Sequence, residues 1–211
     1  MKSAHDILKL QAPVVYYSVV CDIFALDSHR KGTWWYEVVH ALKQEHATTA
    51  AVEQVGGYLQ GVLSNLNIQQ GVICPIPGRA PDSRYAMAPI ARQVARVMPD
   101  VRCACEGLVR TRAAEKVEAG CKKAGRSRWS ATVHANTYRF TVALEKKEQL
   151  ILLDDVTTTG GTMLGAIRHV QEALDGHCSV LPLTLTAGGQ FGRGINLKEG
   201  YPVKEETEGI H

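Results

Sequence analysis

Long apolar runs are missing from this chain of 211 residues. Stretches such as Ile151–Leu153 fall far short of the roughly 20 apolar residues that cross a bilayer as a helix, so no membrane span is predicted. The opening residues, MKSAHDILKLQAP, have neither the apolar centre nor the small-residue cleavage site of a secretory signal. The expected location is therefore the cytoplasm. Cysteine occupies six positions but never at CxxC spacing, and Cys103 and Cys105 stand two apart with no second knuckle. A structural zinc site needs four ligands at suitable spacings, and Cys21, Cys74, Cys103, Cys105, Cys121 and Cys178 do not supply them. Reduced thiols, several of them buried, are expected, in keeping with a reducing compartment. Internal repeats and low-complexity tracts are absent as well.

What is present suits an ordinary soluble globular protein: 45% hydrophobic and 21% charged residues. The length fits one α/β domain with a small appendage, or two small domains. Net charge is +3, but it is uneven, because Arg102–Arg128 holds eight basic residues against Glu106, Glu115 and Glu118. A local excess of this kind favours an anionic partner, either a polyphosphate or nucleic acid. Only Trp129 and Tyr138 lie near it as aromatics, so a base-stacking platform has little support.

Apolar periodicity orders the chain. Val14–Val20 and Cys21–Leu26 read as extended, β-branched and aromatic segments, and Asp27–Thr33 as a turn. Trp35, Val38, Val39 and Leu42 fall at helical spacing, and a second helix is predicted from about Thr48 to Asn65. The pair Trp34–Trp35 reads as packing rather than ligand stacking. Val72–Ile76 suits a buried parallel strand. A helix is predicted from Ala88–Pro89 to Pro99, since proline is accepted in a first helical turn. Cys103–Val109 and Tyr138–Ala143 are predicted strands, with a short helix around Ala113–Ala124 between them. Gln149–Leu153 is a short apolar strand, Thr162–Leu174 a helix and Ser179–Thr186 the last strand. Such alternation implies a mainly parallel sheet of about five strands flanked by helices. The expected division is 1–35 as an N-terminal hairpin or hood, 36–187 as the core and 188–211 as a tail.

One segment carries chemistry: Leu150-Ile-Leu-Leu-Asp154-Asp155-Val-Thr157-Thr158-Thr159-Gly160-Gly161-Thr162-Met163. An apolar strand ends in two adjacent carboxylates, a loop of hydroxyls and glycines follows, and an amphipathic helix begins. Free N–H groups and the positive dipole end of that helix suit a phosphate, and glycines let the backbone approach it. Carboxylates at a strand end accept hydrogen bonds from sugar hydroxyls. A diol bound beside a phosphomonoester describes ribose 5-phosphate. A plain helix cap would need one Asp or Thr, not two acids and four threonines. A Walker-type loop is excluded, since no GK[ST] follows the glycines.

Over its whole length this segment resembles the phosphoribosyl-pyrophosphate (PRPP) motif of type I phosphoribosyltransferases. More loosely, from about Tyr36 to Thr186, the chain is similar to the competence-protein ComF group, which is related to amidophosphoribosyltransferases. The residues carrying that likeness are Cys74-Pro-Ile-Pro77 with Arg79, Arg84 and Tyr85, then Leu108-Val-Arg110-Thr-Arg112, and His40-Ala-Leu-Lys43. The resemblance implies a type I phosphoribosyltransferase fold with a small hood and a mobile basic loop. It also implies Mg²⁺-dependent transfer of the phosphoribosyl group from PRPP to a nitrogen nucleophile. By it, Asp154 and Asp155 hold the ribose hydroxyls, and Thr158, Thr159, Gly160, Gly161 and Thr162 wrap the 5′-phosphate. Arg79 and Arg84 face pyrophosphate, and Arg110, Arg112 and Lys116 act from the mobile loop. Mg²⁺ is expected to arrive with PRPP, near Asp154 and Asp155, without an all-protein cage.

The N-terminal zinc-knuckle cysteines of the group are absent, and its RGFNQ segment stands as Arg84-Tyr-Ala-Met. Thr158 occupies the place where some purine-base enzymes carry a carboxylate. Alternative readings are a PRPP- or nucleotide-binding regulator without turnover, and an accessory to DNA uptake, repair or modification. The implied partners are PRPP and a small-molecule acceptor. A homodimer and a nucleic-acid or DNA-processing partner stay open, and no membrane partner is expected.

Overall fold

The structure, a computed structural model, describes residues 14–17, 22–81, 83–114, 134–145, 147–157, 160–175 and 179–188. Its strands are β1 (Val14–Tyr17), β2 (Asp22–Ser28), β3 (Gly71–Pro75), β4 (Val101–Cys103), β5 (Leu108–Arg110), β6 (Tyr138–Phe140), β7 (Gln149–Thr157) and β8 (Val180–Ala187). Its helices are α1 (Trp34–Lys43), α2 (Thr49–Asn65), α3 (Ala88–Val97) and α4 (Gly161–Ala173). The main sheet runs β1-β2-β8-β7-β3-β4. The five strands from β2 to β4 are mutually parallel, and β1 alone pairs antiparallel, with β2. The N-terminal segment therefore contributes a hairpin to the sheet: β2 lies along β8 from Phe24↔Leu183 to Ser28↔Ala187. The turn expected from Asp27 starts later, because β2 keeps its pairing to Ser28. No helix among the described residues is long and apolar enough to cross a membrane.

Helices cover both faces, and the sequence explains each. Thr33 caps α1, its hydroxyl accepting from the Tyr36 N–H at 3.2 Å, and Thr48 caps α2 in the same way. Such caps contribute about 1 kcal/mol each. Trp35, Val38, Val39 and Leu42 are the buried stripe of α1, and Trp35 packs edge-on against Tyr58 of α2. Pro89 sits in the first turn of α3, where its missing N–H costs nothing.

β7 holds the two cores apart. Ile151 and Leu153 belong to the cluster under α1, α2 and α3, whereas Leu150 and Leu152 belong to the cluster under α4 with Met163, Ile167 and Val170. All four are fully buried, which is why this strand reads as one unbroken apolar run.

The strand expected over Cys103–Val109 is two strands in different sheets. β4 ends on the main sheet at Cys103, the chain turns with Gly107 N–H donating to the Ala104 carbonyl, and β5 pairs antiparallel with β6 in a separate ribbon. Glu106-Gly107 is a turn signal inside an otherwise apolar stretch. The predicted helix around Ala113–Ala124 falls almost wholly outside the described residues.

Candidate functional site

The site forms at the carboxyl ends of β7 and β3, where ligands gather in open parallel sheets. β7 continues past its apolar run, so Asp154 and Asp155 lie within the paired strand, Asp154 opposite Thr184. Successive strand side chains alternate between faces. Asp154 thus continues the Leu150–Leu152 row, and Asp155 the Ile151–Leu153 row. Asp155 meets Lys43, the last residue of α1, with Nζ 3.2 Å from Oδ1. A cation at a helix C-terminus is also favoured by the helix dipole. Asp154 instead accepts the Asp155 backbone N–H at 2.9 Å. It lies within electrostatic reach of Arg110 and Tyr138 on the α4 side. Part of its surface opens to the cavity, yet protein surrounds its carboxyl. Burial first, and the Asp155 charge second, raise its pKa to about 7.

Beyond the acids, Thr157 and Gly160 shape the approach to α4. Thr157 is only 4% exposed, and its hydroxyl has no hydrogen-bond partner among the described residues. A buried orphan hydroxyl is costly unless something occupies it. Gly160 takes φ +77°, the left-handed region that side chains resist, and its carbonyl accepts the Leu164 N–H to start the helix. The first N–H groups of α4 have no partner within the helix. Asp154, Asp155, Thr157, Gly160, Gly161 and Thr162 line one side of a cavity of about 450 Å³.

Pro77, Gly78, Arg79 and Arg110 make the facing wall. Arg110 ends β5 and is 4% exposed. Its guanidinium donates to the Gly78 carbonyl at 2.6 Å, to the Tyr138 hydroxyl at 2.8 Å and to the Thr137 hydroxyl. It also lies 4.4 Å from the centroid of the Tyr138 ring. The Tyr138 hydroxyl in turn reaches the Thr162 carbonyl at 3.5 Å, so one chain of polar contacts ties the Gly78 turn to the start of α4. Burial holds the Tyr138 hydroxyl protonated. Burial and the Arg110 and Arg79 charges lower His134 to about 4. At the cavity's other end His29 contacts the Thr186 hydroxyl at 2.9 Å. Burial and the Lys43 charge lower its pKa, with Asp155 opposing them.

The structure brings together Asp154, Asp155, Gly160, Gly161, Thr162, Arg79 and Arg110 around one cavity. Arg110, expected on a mobile loop, is instead a buried strut with three of its five N–H donors bound to protein. Arg112 is exposed and does not line the cavity. Arg84, expected to face pyrophosphate, is ion-paired with Glu45 and lines an adjoining cavity. Tyr85 beside it points inward to the Leu108 carbonyl. Lys116, Thr158 and Thr159, with most of the basic loop, lie outside the described residues. Of that basic stretch, Arg102 is bound by Glu148 through two hydrogen bonds. Arg110 is buried, whereas Arg112 is exposed. Sequence reasoning missed His29, Thr157 and Tyr138 as site residues. Lys43 had a signal as the final residue of an amphipathic helix, whereas His29 and Tyr138 carry none. Compared with known protein families and with curated proteins, the chain matches none.

Proposed function

We propose that this chain has the type I phosphoribosyltransferase fold, binds PRPP in the 450 Å³ cavity, and transfers its phosphoribosyl group to a nitrogen nucleophile. One observation carries the reading: an acid pair, a left-handed glycine turn and the first residues of α4 line one cavity. The volume falls within the roughly 300–1,000 Å³ of small-molecule sites. The carboxylates accept the ribose 2′ and 3′ hydroxyls, while Thr162 and the first N–H groups of α4 take the 5′-phosphate. Gly78 and Arg79 face the pyrophosphate. Arg110 acts as a positioning residue, because it fixes the Gly78 carbonyl and so the direction of the turn. The hard oxygens of Asp154 and Asp155 suit Mg²⁺ held mainly through substrate oxygens and water. The ion supplies charge neutralisation on the leaving pyrophosphate. The residues themselves orient the ribose and hold its hydroxyls while positive charge grows at C1.

A second reading, PRPP binding without turnover, draws support from the commitment of Arg110 and from the position of Arg112 away from the cavity. Two measurements separate the readings. Mg-PRPP should raise the melting temperature, as a ligand selective for the native state does; no shift at millimolar concentration rejects both. Pyrophosphate release with a panel of nitrogen acceptors supports transfer, and stabilisation with no release from any acceptor supports the regulator.

A further inference from the structure

Three cysteines cluster away from the acid pair, where β3, β4 and the turn into β5 meet. Cys74 is fully buried in β3. Cys103 ends β4, and Cys105 follows in the turn. The sulfurs of Cys103 and Cys105 are 2.8 Å apart. That is closer than the roughly 3.8 Å expected of two thiolates sharing a tetrahedral zinc ion. It is within about 1 Å of the ~2.05 Å sulfur–sulfur bond. Cys105 also opens onto the second cavity, of about 730 Å³, whose walls include Lys43, Arg84 and Arg92. Glu45, Glu106 and Asp155 line it too, with Lys43 paired to Asp155 and Arg84 to Glu45, so its walls offer partners to a small molecule carrying charges of both signs.

We infer that Cys103 and Cys105 form a dithiol modification site, closed to an intrachain disulfide by exchange with a small disulfide bearing charges of both signs, such as oxidised glutathione, in the second cavity. The inference is independent of PRPP binding. Cys105, facing the cavity, attacks one sulfur of the incoming disulfide as thiolate and releases one thiolate, which takes up a proton. Cys103 then attacks the Cys105 sulfur, loses its proton to solvent and expels the second thiol. The protein gives up two protons and two electrons, and the small disulfide takes up both to become two thiols. The order follows from the surroundings. Burial and the hydrogen bond to Cys105 push the Cys103 thiol up to about 12, and burial pushes Cys74 to about 12 as well. Neither is a competent first nucleophile, since the thiolate is the attacking form.

The test uses the full-length protein incubated with oxidised glutathione, blocked with N-ethylmaleimide and digested with trypsin. Cleavage after Arg102 and Arg110 releases one peptide, Cys103–Arg110, containing both sulfurs and no other cysteine. We expect that peptide two hydrogens lighter than its dithiol form and unblocked, becoming doubly blocked if dithiothreitol precedes the maleimide. Cys103→Ser should retain a glutathione adduct on Cys105. Double blocking after oxidation, or a lasting adduct on the parent protein with no ring closure, overturns the inference. Protection of both sulfurs that appears only with added zinc, and is removed by a chelator, also overturns it.

Discussion

Replacing Asp155 with asparagine separates the ligand role of the acid pair from any part it plays in holding the fold. In the free protein the substitution removes an ion pair with Lys43 at 3.2 Å. The Lys43 side chain is 47% exposed and that of Asp155 17%, so the pair is worth at most about 1 kcal/mol. The same change relieves repulsion, because the Asp155 charge is the second cause of the raised pKa of Asp154. The two effects oppose each other, and stability in urea should change by less than about 1 kcal/mol. With ligand the balance differs. A hydrogen bond to a charged acceptor contributes roughly 1.5–3 kcal/mol, which corresponds to an affinity loss of about 10- to 150-fold for PRPP. Titration calorimetry with Mg-PRPP, alongside urea denaturation, measures both quantities. Unchanged affinity would refute the assignment of Asp155 to the ribose hydroxyls.

Gly160→Ala should destabilise the fold by about 1–2 kcal/mol, since Gly160 sits at φ +77°. It should also weaken binding of inorganic phosphate, and equal stability by urea titration contradicts this. Leu152→Ala, at a fully buried position in β7, should cost about 2–5 kcal/mol of stability and change PRPP affinity by less than Asp155→Asn does. A larger affinity loss than in Asp155→Asn would count against the division. Asp154 titrates above its ordinary range, at about 7, so the folded state holds its proton more tightly than the unfolded chain. Its contribution is present at low pH and lost as pH rises from the usual carboxylate range through 7. Between pH 5 and 8 Asp154→Asn should therefore lose less stability than the parent, and parallel urea midpoints would show that the carboxyl is not buried in this way.

Much of the site was legible because its signal is local. The apolar run, hydroxyls and glycines of Leu150–Met163 mark a strand, a loop and a helix start within a few residues, although the strand runs on through the two acids to Thr157. Period-two alternation even places the two acids on opposite faces once β7 is known to extend through Thr157. What sequence could not supply depends on distant pairing. The buried role of Arg110 requires Gly78, Thr137 and Tyr138, which come from three separate segments. The Arg84–Glu45 pair requires the end of α1 to lie against the β3–α3 connection. Nothing near Arg84 in the chain distinguishes that partner from a phosphate. The division of Cys103–Val109 into two strands turns on Glu106-Gly107, two residues inside an apolar stretch.

The placement of Asp154 and Asp155 on opposite faces of β7 gives adjacent residues separate neighbourhoods. Asp155 answers to α1 through Lys43 and lines the second cavity as well as the first. Asp154 feels the charge of Lys43 and, beyond it, that of Arg110 from the β5–β6 ribbon, and it lines the first cavity alone. A molecule lodged in the second cavity would address one carboxylate directly and leave its neighbour to be tuned from the far side of the sheet. A substitution in α1 that removes the Lys43 charge would then act on Asp155 by direct contact and on Asp154 through the field alone, whereas one in the ribbon reaches Asp154 first.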